Sequence, residues 1–148
     1  MKNSLILLLC LCASSLASGA PSRICELAVK RGGLVEYTVQ VDPDRNGTRT
    51  IKADFDLDGS VDELRWFDPR SASITPADNA TLSLTLTSNT RTYKLEQQRL
   101  VVVKLESRYY VVTTRIDSEL GPWYREVFSL NQNGITKICS FDGKGQGP

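Results

Sequence analysis

Between Lys52 and Phe67 the chain reads KADFDLDGSVDELRWF, and five of its side chains there are acidic. Asp54, Asp56 and Asp58 alternate, Gly59 follows at once, and Asp62 comes three residues later. Alternate carboxylates on a tight turn aim their oxygens at one point, which suits a hard divalent cation that takes six to eight oxygen ligands. Glycine at the sixth place permits a sharp turn, so that the backbone carbonyl of Ser60 can face the same point. The expected ligand set is therefore Asp54, Asp56, Asp58 and Asp62 through their side chains and Ser60 through its backbone, with calcium as the ion.

The spacing matches positions one, three, five, six and nine of an EF-hand loop. The twelfth position, where that loop has a bidentate glutamate, is Arg65 here, and the flanks read as strands rather than helices. The stretch ADFDLDGSVDEL more closely resembles the DxDxDGxxD loops of integrin-type calcium repeats (FG-GAP and VCBS repeats), in which the loop joins two strands. That resemblance covers about a dozen residues and implies the same ligand set. A propeller needs several such blades and this chain has one motif, so only the loop is carried over. Loss of the twelfth-position carboxylate implies submillimolar to millimolar affinity, as in extracellular modules.

The segment FDLDGSV is also similar to the DxDGT signature of haloacid-dehalogenase-type phosphatases, which would make Asp56 the nucleophile, Asp58 the acid/base and magnesium the ion. That signature ends a buried parallel strand, which reads as a continuous apolar run. TRTIKAD instead alternates and carries charge. This metal-dependent hydrolase is the alternative to a non-catalytic domain, and a bare acidic turn is the third reading.

Other catalytic constellations fall to composition. The chain has no histidine, which removes Ser-His-Asp triads, Cys-His pairs and HExxH zinc sites. A glycosidase-like carboxylate pair assembled from Asp117, Glu119 or Glu126 would need a cleft that a small β domain seldom has. The expectation is a protein without catalytic activity.

The elements that must position the acidic loop are strands. Thr81-Leu82-Ser83-Leu84-Thr85-Leu86-Thr87 alternates leucine with small hydroxyl residues, the mark of a half-buried strand. Similar patterns cover Ile24 to Val29, Leu34 to Val41, Arg49 to Phe55, Glu63 to Phe67, Thr90 to Leu95, Leu100 to Leu105, Tyr109 to Ile116, Trp123 to Leu130 and Gly134 to Phe141. Turn chemistry separates them at residues 31–33, 44–47, 88–89, 106–107, 119–122 and 131–134. Residues 68–80 form the one long irregular stretch, with Pro69 and Pro76. The expected fold is all-β, an antiparallel meander closing into a sandwich or small barrel, with no helix.

The chain opens with Met1-Lys2, an apolar run from Leu5 to Leu11 and small residues to Ala20, the order of a secretory signal peptide. Cleavage is expected after Ala17, or as late as Ala20. The apolar run is too short to span a membrane. Removing residues 1–17 leaves 131 of 148 residues, one domain over 18–142 and a glycine-rich tail over 143–148 expected to be disordered. It also removes Cys10 and Cys12, so Cys25 and Cys139 are expected to pair in a secreted or periplasmic protein. The balance of 17 acidic residues against 17 remaining basic ones points to no nucleic acid and no anionic membrane.

Function on this reading is that of a binding or inhibitor-like module with a macromolecular partner, expected to be a protein. Adjacent aromatic pairs place rings on opposite strand faces, and Trp66, Tyr109 and Trp123, with Arg115 nearby, form the candidate partner surface. Asn46-Gly47-Thr48 and Asn79-Ala80-Thr81 fit the glycosylation acceptor pattern.

Overall fold

The structure, a computed structural model, describes residues 19–67, 79–86, 89–96, 98–116 and 122–144. The signal-peptide segment 1–17, the irregular stretch 68–78, the turn residues 88 and 119–121, the candidate carboxylates Asp117 and Glu119, and the tail beyond Lys144 lie outside the described residues.

Eight strands follow one another. They are β1 (Thr48–Ala53), β2 (Asp62–Phe67), β3 (Asn79–Leu86), β4 (Asn89–Glu96), β5 (Gln98–Leu105), β6 (Arg108–Ile116), β7 (Pro122–Asn131) and β8 (Gly134–Lys144). The first four form one sheet and the last four another, each a meander in chain order. Every ladder is antiparallel. The two sheets face each other across Ile51, Leu64, Trp66, Leu82 and Leu84 on one side and Val102, Val111 and Leu130 on the other. The arrangement is a sandwich, with two separate four-stranded sheets rather than one closed barrel.

A third layer corrects the expectation of no helix. Residues Gly19–Val29, whose second half was expected to be a strand, form helix α1. Ile24, Leu27 and Ala28 recur at the three- and four-residue spacing of one helix face, and Ile24 and Ala28 are fully buried. Pro21 is tolerated because it sits in the first turn, where an N–H has no intrahelical partner. This face packs on the outer side of the second sheet, against Val103, Leu105, Tyr110, Val112 and Val127.

The strand expected over Leu34 to Val41 is a single 3-10 turn at Val35–Tyr37. It follows Gly32, whose φ of 72° reverses the chain. Only its end behaves as expected: Thr38 bridges Val103, and the Val39 amide donates to the Val102 carbonyl at 2.8 Å.

The Cys25–Cys139 disulfide ties α1 to β8. A register shift between Val127 and Phe128 bulges β8, so that Ile138 and Cys139, though adjacent, both join the layer beneath the helix. Gly143 and Lys144, expected to belong to a disordered tail, are instead the last residues of β8. Gly143 pairs with Trp123 across the ladder. A Cβ on it would lie 2.6 Å from the indole ring, so its bare Cα is the seat on which that ring lies.

Candidate metal centre

β1 and β2 are register partners from Thr48–Phe67 to Ala53–Asp62, and the acidic loop is the connection between them. Its backbone curls so that its own amides point inward. Asp54 accepts from the amides of Asp58 and Gly59 at 3.0 and 2.9 Å, one on each carboxylate oxygen. Asp56 accepts from the Asp58 amide at 3.1 Å, and Asp58 from the Ser60 amide at 2.7 Å. Two positive φ values make the curl, 64° at Leu57 and 90° at Gly59. Glycine adopts such an angle freely, whereas a leucine in that region is held there by its surroundings.

One oxygen from each of Asp54, Asp56 and Asp58 lies within 4.8 Å of the others. Hard oxygen donors gathered at that spacing fit calcium or magnesium and do not fit a soft thiophilic metal. The Asp56 carboxyl is pushed above the ordinary carboxylate range, first by lost hydration and then by the charges of Asp62, Asp58 and Asp54, against the lowering effect of the Asp58 amide. A cation among the carboxylates would reverse that repulsion.

Asp62 is placed differently from its three partners. It is 3% exposed, and its Oδ2 accepts the amide of Phe55 at 3.0 Å across the mouth of the loop. Ser60 enters the site through its amide, as the donor to Asp58. Between Asp54 and Asp56, Phe55 points the other way, into the core, where it is 3% exposed.

No protein-family model, curated protein or solved structure matches this chain.

The candidate partner surface is only in part at the surface. Trp66 and Trp123 are 6% and 9% exposed. Trp66 faces inward from β2 into the core between the sheets, and Trp123 lies on Gly143, so neither offers a face to a partner. Tyr109 is half-buried, with the edge of Phe55 on one side and Lys104 over its ring at 5.1 Å. Arg115 is half-buried and lies over the ring of Tyr124. Alternation along β7 correctly separates Trp123 from Tyr124, but burial of the tryptophan rather than the tyrosine depends on the glycine opposite. Of the two sequons, Asn46 stands exposed on the turn before β1, in a loop closed by Asp44.

Proposed function

We propose that this chain is a secreted or periplasmic, non-catalytic β domain of the binding or inhibitor-like kind, with calcium held by the β1–β2 loop. Asp54, Asp56 and Asp58 supply the carboxylates, Asp62 closes the base of the loop, and Ser60 adds its backbone, as the resemblance to DxDxDGxxD repeats implies. The observation that carries this reading is the convergence of three alternate carboxylates within 4.8 Å on one turn. The antiparallel hairpin around the turn favours it over the phosphatase reading, which needs the end of a buried parallel strand.

The pairing of Cys25 with Cys139 supports an oxidising compartment. Among the described residues no helix is long and apolar enough to cross a membrane. Leu57 and Val61, 52% and 74% exposed, stand on the rim of the same loop. An ion would fix their positions, and they replace Trp66 and Trp123 as the surface offered to a protein partner.

The test is a thermal melt of the oxidised protein in millimolar calcium, millimolar magnesium and chelator. Binding to the folded state raises the midpoint with ion concentration. A rise with calcium alone is the expected result. An equal rise with magnesium, accompanied by turnover of a generic phosphoester, would replace this reading with the hydrolase. No response to either ion would leave the loop a bare acidic turn.

A further inference from the structure

The inner face of the second sheet changes character along its length. Val102, Val111 and Phe128 lie side by side on it and pack against the first sheet. Two residues further along β6 the cross-strand neighbours are Thr113, Glu126 and Ser140, and two further again they are Arg115, Tyr124 and Asp142. Side chains on the inner faces of a sandwich interdigitate to form its core. Here Leu100, beside Thr113 on β5, still packs on the core, but from β6 to β8 two successive rows carry polar or amphipathic groups, and with Arg125 and Phe141 they line a cavity of about 300 Å³. That is the lower end of the range for small-ligand sites.

A sheet end that merely overhangs into water would expose all of these groups. Here Thr113 at the floor is 1% exposed and Arg115 and Glu126 are half-buried, while Tyr124, Ser140 and Asp142 form an exposed rim. The charges are also internally balanced. Glu126 is paired with Lys137 at 3.0 Å, and Arg115 and Asp142 carry opposite signs on either side of Tyr124. Arg125 also lines the recess, but its guanidinium is engaged, donating to the Ala28 carbonyl at the end of α1 and to Thr114 at 3.0 Å. The recess therefore suits a ligand without net charge. Arg115 sits 4.5 Å from the centre of the Tyr124 ring and steadies it, while Tyr124 stays 36% exposed.

A partly open aromatic ring, flanked by two carboxylate acceptors and the exposed hydroxyl of Ser140, which both donates and accepts, matches a molecule with an apolar C–H face and a rim of hydroxyl groups. We propose that this recess binds a neutral sugar ring, free or at the end of a glycan. The ring's C–H face lies against Tyr124, and its hydroxyls donate to Glu126 and Asp142. This is a second site, independent of the calcium reading. Tyr109, which Phe55 touches, and Arg115 are six residues apart on β6, about 20 Å along the strand.

The experiment is a glycan array, with saturation-transfer NMR against free hexoses, run on the oxidised protein with calcium and with chelator. Binding of at least one neutral sugar is expected in both media, weakened about tenfold or more by Tyr124→Ala and by Asp142→Asn. Thr92→Ala, on the outer face of the first sheet, should leave it unchanged, and the thermal midpoints of all three variants should match the parent. Binding to glycans but not to free hexoses assigns the ligand to a glycan end; equal binding to both assigns the ring alone. Absence of any sugar binding at millimolar concentration overturns the proposal. So does binding that survives both recess variants, or binding that chelator abolishes.

Discussion

Phe55 meets Tyr109 edge to face, with ring centres 5.1 Å apart and planes at 80°. One ring belongs to the acidic loop of the first sheet and the other to the start of β6 in the second. The loop is thus pinned to the opposite sheet through the residue between its first two carboxylates, and edge-to-face pairs add to simple burial.

Phe55→Ala should cost about 3 to 5 kcal/mol, the range for emptying a buried aromatic site. Leu57→Ala, two residues away but exposed, should change stability by about 0.5 kcal/mol or less. Urea unfolding of both variants in chelator checks the contrast, and similar losses would show that Phe55 is not anchored as described.

Asp62 and Asp58 should separate into two roles. Asp62→Ala orphans the Phe55 amide in a buried place, and a cost of about 1 to 3 kcal/mol is expected even in chelator. Asp58→Asn should leave stability in chelator almost unchanged and weaken the calcium-dependent rise in melting midpoint. Calcium titration of both variants by calorimetry, with melts in chelator, distinguishes the two.

Gly143→Val should be destabilising by about 1 to 3 kcal/mol, the scale of overpacking. Its side chain would occupy the place of the Trp123 ring, so tryptophan fluorescence should move towards that of a solvated indole. An unchanged spectrum would contradict the seat.

Tyr110 sets an alkaline limit. Its hydroxyl is pushed above the usual value of about 10 by burial, opposed by the nearby Arg108 charge and reinforced by Glu106. The unfolded chain then loses this proton first as pH rises. Stability should be flat with respect to this group below about pH 10 and fall above it. Tyr110→Phe should show a shallower decline over that window in urea midpoints measured from pH 9 upward.

The sandwich was readable because its strands alternate. Leu82, Leu84 and Leu86 face the core between hydroxyl residues, Gly134 and the pair Glu106-Ser107 mark hairpin turns, and Gly47 marks the turn that leads into β1. Helix α1 was not, because Ile24 and Val29 are β-branched and the segment is short enough to pass for a strand. A signal for it existed elsewhere in the chain. Leu100 to Val103 and Tyr109 to Val112 read as continuous apolar runs, and Val102, Val103 and Tyr110 to Val112 are buried without alternation, the mark of strands covered on both faces, which calls for a third layer. The alternate spacing that brings the Asp54, Asp56 and Asp58 carboxylates together was fully visible. The hydrogen bond from the Phe55 amide to Asp62 was not, since it depends on the register of β1 against β2.

The bridge between Cys25 and Cys139 spans 114 residues and links the helix to the last strand. Tension applied to the chain outside these two cysteines would pass through the sulfur–sulfur bond and bypass the sandwich. Under oxidising conditions a mechanical pull could not draw out the enclosed segment, roughly 400 Å of extended chain. Reduction would release that length in a single-molecule trace, so the protein resists stretching by covalent routing rather than by the strength of its sheets.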